Sequence, residues 1–287
     1  MFRSLLQTWL QIAAKAKVHD AVTQAARGQL TLSVPCPPAE EPKPCHFGFV
    51  FALGIESGCL EDLLQGAITV RGDRFAIREG GLRGRRVAII LAGPGQDNAR
   101  RATEILIDGH RPDRVISAGF AGGLCQKLKR NDILIADRLL NLAGGELSVE
   151  LPPGLSAAVT QPGIHCGSLL TTDRVVRMPS ERKAILDRTG ALAVDMETFA
   201  VAEVCAARQV AFSSIRVVND TADEALPRDV QHLLVQKTAA ARVGAALGAV
   251  WRRPASAKEI YQLRENALVA SGRLAKFLAG TLTVGDL

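Results

Sequence analysis

The chain has 287 residues, 47% of them hydrophobic and 22% charged, enough to bury a full core and too apolar for a disordered chain. Its 35 basic and 29 acidic residues leave a formal charge of +6, and with 4% aromatic residues it lacks the stacking platforms of a single-strand binder, so no nucleic-acid partner is expected. No apolar run reaches the ~18 residues that cross a bilayer; the 6 scattered cysteines form no C-x-x-C pair and the 5 histidines no metal-ligand spacing, so no transmembrane segment, no metal and a reduced, cytoplasmic setting are expected.

Near the N-terminus, Leu5, Leu6, Trp9, Leu10, Ile12 and Ala13 recur at helical spacing. Arg3, Gln7, Gln11, Lys15 and Lys17 interrupt the apolar positions, which argues against a signal peptide. Residues 1–32 are read as a helical appendage. Pro35, Pro37, Pro38, Pro42 and Pro44 make residues 33–45 a proline-rich linker. The body, residues 46–250, then alternates strand, glycine loop and helix. His46–Leu53 reads as a strand, Gly54–Gly58 as the loop after it and Cys59–Gln65 as a short helix. Arg74–Glu79 and Val87–Leu91 read as strands, the second an unbroken aliphatic run of the kind covered on both faces. Gly93-Pro94-Gly95 leads into a helix that Asp97 can cap and Gly109 can stop.

Val115-Ile116 opens a strand running into the glycine-rich loop Ser117–Gly123. Ile133–Ala136 and Gly167–Thr172 are further strands, Ser180–Arg188 and Met196–Arg208 helices, and Ala211–Val218 a strand. Arg228–Val250 reads as a long amphipathic helix, and a helix pair near Lys258–Leu278 falls in a C-terminal helical extension, 251–287. Strands alternating with helices predict an α/β domain with a largely parallel sheet, binding its ligand at the carboxyl ends of the strands.

Two acidic residues fall at such strand ends: Glu197 after Val194-Asp195-Met196, and Asp220 after Val217-Val218-Asn219. Carboxylates in unlike environments can divide ligand binding from proton transfer. Each also has a plain structural reading. Glu197 sits where a helix dipole favours an acid, and Asp220 can cap a turn. The glycine loops offer N–H groups to an anion or sugar but match neither the Walker nor the dinucleotide pattern.

Five segments in order, Ala92–Gly95, Ser117–Gly123, Leu128–Asp132, Val194–Glu197 and Asn219–Asp223, together resemble the purine nucleoside phosphorylase and nucleosidase superfamily, most closely its methylthioadenosine/adenosylhomocysteine nucleosidase branch. The resemblance implies a three-layer α/β/α domain around a mixed, largely parallel sheet, a homo-oligomer, and no organic cofactor. It implies that Glu197 holds the ribose hydroxyls, Met196 packs under the sugar and Asp220 protonates the leaving purine. Gly93, Gly95, Ala118, Gly119, Val175, Val176 and Asn219 are the other implied binding positions. The acidic loop that activates water in such nucleosidases is reduced to Leu53-Gly54-Ile55-Glu56-Ser57. Strict alignment places Ser57 at the water-activating position, and a one-residue shift places Glu56 there. The stacking aromatic is replaced by Val175. Ser117 stands where hexameric phosphorylases carry a phosphate-binding arginine. The expected activity is hydrolysis of a purine nucleoside, with phosphorolysis using phosphate, or nucleoside binding without catalysis, as alternatives.

Overall fold

A computed structural model describes residues 44–72, 75–226 and 256–281, with side chains of the last segment from 262 onward. The expected helices of residues 1–32, the expected helix Arg228–Val250 and all but the last two residues of the expected linker lie outside the described residues. Elements are numbered in chain order.

Strand β1 (Phe47–Phe51) is buried throughout and runs parallel to β4 (Arg85–Leu91) on one side and β5 (Arg114–Gly123) on the other. Their apolar runs reflect a sheet covered on both faces. Phe49, Phe51, Val87, Ile89 and Ile116 point to one layer, packed with Leu60 of helix α1 (Gly54–Glu61) and with Ala270, Leu274 and Leu278 of helix α6 (Ser256–Thr281). Val50, Ala88, Ile90 and Val115 point to the other, against Ala99, Ala102 and Leu106 of α2 (Gln96–His110) and Val201 and Val204 of α5 (Thr198–Arg208). The result is the expected three-layer α/β/α arrangement around a mixed sheet. Beyond β4 the sheet continues antiparallel through β3 (Ala76–Leu82) to β2 (Gln65–Arg71), whose residues are all exposed.

On the far side of β5 lies β10 (Ala211–Asp220), parallel to it; β6 (Ile133–Asn141) is antiparallel to β10, and β8 (Ile164–Thr171) is parallel to β6. Short β9 (Ala193–Asp195) runs parallel to β8 and returns antiparallel to β5, so these five strands close into a ring. A hairpin strand, β7 (Glu146–Ser148), and two short helices, α3 (Pro153–Ala158) and α4 (Pro179–Thr189), complete the body. Among the described residues no helix is long and apolar enough to cross a membrane, and no group of His, Cys, Asp and Glu is placed to hold a metal.

Several local expectations give way. Residues 54–58 are not a loop but the first turn of α1, which ends at Glu61, and Gln65 begins a strand rather than ending a helix. Glu56 makes the early helix start possible, because its carboxylate accepts the N–H of Leu53. Residues Ser117–Gly123 are strand, not loop. Helix α2 is capped by Gly95, leaving Asp97 in its first turn, and it runs past Gly109 until Arg111 turns left-handed at φ 43°. The C-terminal helix pair is one continuous helix, Ser256–Thr281, built into the core layer beside α1 rather than appended to it.

Leu274 and Leu278 are fully buried at the seam between α6 and the sheet. Leu274→Ala is expected to cost about 2–5 kcal/mol in denaturant unfolding; an unchanged unfolding midpoint would show that α6 does not belong to the cooperative body.

Candidate active site

The carboxyl ends of β1, β4, β5, β9 and β10 open into a cavity of about 680 Å³. Glu56, Glu197 and Asp220 all line it. A second cavity, of about 560 Å³ between β7 and the end of α5, contains none of the three.

Glu56 sits in the first turn of α1, 4% exposed. Its Oε2 accepts the N–H of Leu53 and its Oε1 that of Phe120, each at 2.8 Å, so one carboxylate ties the start of α1 to the end of β5. Ser57 is buried and turned away, donating to Glu61. Geometry therefore puts Glu56 and not Ser57 on the cavity wall. Burial raises the Glu56 carboxyl above its ordinary range, against the opposing pull of the Arg216 guanidinium and the backbone N–H groups.

Arg216 projects from β10, in register with Gly119 on β5. It is 2% exposed, forms an ion pair with Asp195 at 2.8 Å and donates to the hydroxyls of Ser117 and Thr198. A Cβ on Gly119 would fall 2.4 Å from Arg216 Nη1 and 2.8 Å from Glu56 Oε1. Gly119 is thus needed for close approach of side chains rather than for loop geometry. Asp195 accepts from Thr171 Oγ1 at 2.7 Å and caps α5 by accepting the N–H of Thr198 at 3.0 Å.

Glu197 immediately precedes α5, and its Oε1 accepts the N–H of Gly95 at 2.8 Å. Gly93 and Gly95 hold φ values of 83° and 95°, a left-handed backbone that suits glycine and turns the Gly95 N–H toward Glu197. Burial first, then neighbouring Asp195, push the Glu197 carboxyl from an ordinary 4.5 up to about 8, with Arg216 and the Gly95 N–H opposing.

Asp220 ends β10 at 8% exposure. Its Oδ2 is paired with Arg182, which reaches in from α4 with no exposed surface. Burial raises the Asp220 carboxyl, and Arg182 opposes it. The end of β10 and the turn that follows it are braced separately: Arg130 donates to the carbonyl of Asn219 and pairs with Glu224, whose carboxylate accepts the N–H of Thr221 at 3.0 Å.

Met196, Val175, Val176 and Asn219 line the cavity with the three acids. Gly93, Gly95 and Gly119 stand behind the wall, and Ala118 faces the hydrophobic core instead. Val176 presents its side chain, but its carbonyl already accepts two bonds from Arg182, at 3.1 and 3.3 Å, which leaves it poorly placed to receive a base amine. Among the described residues, Phe120 is the one aromatic side chain that lines the cavity, on the β5 side rather than at Val175. The sequence reading missed Phe120, and Leu263 and Ala267 of α6, as lining residues, and Arg182 as the buried partner of Asp220 behind them. Arg182 sits in Ser180-Glu181-Arg182-Lys183, which looks like an ordinary solvated helix turn.

A model of the phosphorylase superfamily matches residues 60–252. The 5'-methylthioadenosine/S-adenosylhomocysteine nucleosidase of Bacillus thuringiensis (strain Al Hakam) is 32% identical over 196 residues, spanning 60% of this chain and 84% of the relative. The same figures hold for the nucleosidase of that name from Bacillus anthracis. Among solved structures, the Neisseria meningitidis 5'-methylthioadenosine/S-adenosylhomocysteine nucleosidase in complex with methylthio-immucillin-A superposes with a TM-score of 0.63 at 22% identity, covering 83% of this chain and 98% of that one. A futalosine hydrolase mutant of Helicobacter pylori superposes at 0.62 and 17% identity, covering 84% and 99%.

A carboxyl raised from 4.5 to about 8 binds its proton more tightly in the folded state than in the unfolded one. Its contribution to stability is therefore complete at low pH and is lost as pH rises from about 4.5 through about 8. Glu197→Gln is expected to leave the melting temperature near that of the wild type at pH 5 and to exceed it at pH 8.5. Parallel melting curves for the two proteins across this range would contradict the raised value.

Proposed function

The chain belongs to the phosphorylase superfamily, and on that premise we propose that it is a nucleosidase, hydrolysing the N-glycosidic bond of an adenosine-derived purine nucleoside of the methylthioadenosine or adenosylhomocysteine kind. The observation that carries this reading is that Glu56, Glu197 and Asp220, from three different parts of the chain, line one cavity.

Each acid has a distinct chemical task. The N-glycosidic bond breaks through an oxocarbenium-like sugar, as in other glycoside hydrolyses. Asp220 gives its proton to the purine as the C1′–N electron pair moves onto the base. Glu56 takes a proton from water as the water oxygen bonds to C1′. Glu197 accepts the ribose hydroxyls, a contact that contributes to rate if it strengthens as the ring flattens. Burial of Asp220 favours its task, since a carboxyl must be raised to deliver a proton near neutral pH, while Arg216 and the backbone N–H groups hold Glu56 toward the ionised form that a base needs.

Two features favour hydrolysis over phosphorolysis. The Gly95 N–H, a candidate phosphate donor, is given to Glu197. Arg216, behind Glu56, is committed to Asp195, Ser117 and Thr198, so the nucleophile's corner presents a carboxylate. A carboxylate there accepts a proton from water and repels phosphate.

Incubation with methylthioadenosine, adenosylhomocysteine, adenosine and inosine, with and without phosphate, is expected to release base and free ribose product independently of phosphate. Ribose 1-phosphate formation would overturn the reading, and tight binding without turnover would replace it with a binding module. Asp220→Asn is expected to lower kcat by about 10²–10⁴-fold with a smaller effect on the affinity of a substrate analogue. The pH profile should be bell-shaped: activity falls on the acid side as Glu56 takes up a proton and on the alkaline side as Asp220 loses its own. Glu56→Gln should remove the acid limb together with most of the turnover.

A further inference from the structure

The mechanism so far makes no use of Arg182, yet this is one of the largest side chains in the molecule with no exposed surface. Taking a guanidinium out of water costs several kcal/mol unless its donors are satisfied, so its placement calls for a reason. Its Nε and Nη2 both donate to the Val176 carbonyl, at 3.3 and 3.1 Å. Its Nη1 donates to the carbonyls of Gly123, at 3.4 Å, and Thr221. Nη2 also holds Asp220 Oδ2. One planar group thus joins three strand-end segments of the cavity to the carboxyl assigned the proton transfer.

The packing around this pair is built for it. A Cβ on Gly122 would fall 2.9 Å from Asp220 Oδ2 and 3.6 Å from Arg182 Nη2. A side chain there would push on the Asp220 carboxylate, while its contact with Arg182 would be an ordinary one. With Oδ2 engaged, Oδ1 is the Asp220 oxygen left for the cavity.

We propose that Arg182 is a positioning residue for the proton transfer: it fixes Asp220 through Oδ2 so that Oδ1 carries the proton toward the leaving base, and it locks the Val176 segment to that carboxyl. This inference rests on the nucleosidase reading. Before transfer, the guanidinium faces a neutral carboxyl and their attraction is modest. As the proton leaves Oδ1 for the base nitrogen and the C1′–N electron pair follows onto the base, the carboxyl becomes a carboxylate in a charge-assisted pair. The interaction strengthens along the reaction, which is the condition for it to lower the barrier rather than only tighten binding.

Two variants test it. Arg182→Gln keeps a planar donor for Val176 and removes the charge; Arg182→Lys keeps the charge and loses the fork. Carbon-13 carboxyl NMR follows the titration of Asp220, its signal identified by its loss in Asp220→Asn. In Arg182→Gln the Asp220 midpoint should rise by about 1–3 pH units, and the alkaline limb of kcat/KM should move up with it. In Arg182→Lys the midpoint should stay near that of the wild type while kcat falls by about tenfold or more and KM stays within about twofold. A purely structural strut would lower the melting temperature of both variants without moving either limb. The proposal is overturned if both fold with an unmoved Asp220 midpoint and unchanged kcat. If Arg182→Gln does not fold, Arg182→Lys alone decides it: a wild-type kcat there sinks the positioning role. Absence of turnover in the wild-type protein defeats the nucleosidase reading by itself, while the Asp220 titration still reports whether Arg182 governs that carboxyl.

Discussion

The side of the cavity that holds Glu56 and Glu197 is organised by a shortage of buried positive charge. Arg216 is a single buried guanidinium acting on three carboxylates, paired directly with Asp195 and electrostatically with Glu197 and Glu56. In a water-poor interior one cation cannot keep three acids ionised without large cost. Asp195 takes the direct pair and the cap of α5. Glu56 and Glu197 receive backbone N–H groups instead, and both are driven upward. Their protons come off as a set, because each ionisation changes the field felt by the others. Much of the local sequence follows from housing this group. Gly119 stands opposite Arg216 because no Cβ fits, and Ser117 and Thr198 supply the hydroxyls that complete its hydrogen bonding.

Asp220 belongs to a second, separate electrostatic unit. Its partner is Arg182, and its neighbours Arg130 and Glu224 brace the strand end at Asn219 and the turn after it. The cavity thus has two ends with independent cations. Arg216 serves the side with Glu56 and Glu197, which the proposed reaction assigns to water and sugar. Arg182 serves the side with Asp220, which it assigns to the departing base. Separate partners let one end favour taking up a proton while the other favours giving one up, which a single shared cation would not permit.

How much of this could be read from the sequence depended on whether a residue's role was local or spatial. Strands β1 and β4 were legible because an aliphatic run covered on both faces leaves its pattern in consecutive residues. Glu197 and Asp220 were legible as acids at strand ends, and their shared cavity follows from the sheet. The glycines of Ser117–Gly123 were legible as important and misread as loop, because the residues they make room for, Glu56, Arg216 and Asp220, come from other segments. Strand β2 carries its β-branched run on an exposed edge, without the alternation that marks a half-buried strand. Arg182 was invisible: nothing in a run of charged residues says which one turns inward. The choice between Glu56 and Ser57 turned on helix phase: α1 starts at Gly54, Glu56 is its third residue, and Ser57, about 100° further round, faces away from the cavity.

The closed ring of five strands also constrains how the protein comes into being. The strand that closes it, β10, is pinned between β5 and β6 and is the last of the five to leave the ribosome. Pairings between distant segments form slowly, because loop-closure entropy must be overcome before contacts repay it. Arg216 and Asp220 both ride on that closing strand, and α6, which covers the adjoining layer, follows later still. Until then the nascent chain carries Glu56 and Glu197 without either guanidinium-bearing end assembled. Competence for chemistry is therefore coupled to completion of the fold, and partially synthesised chains hold the parts of the site without its charge balance.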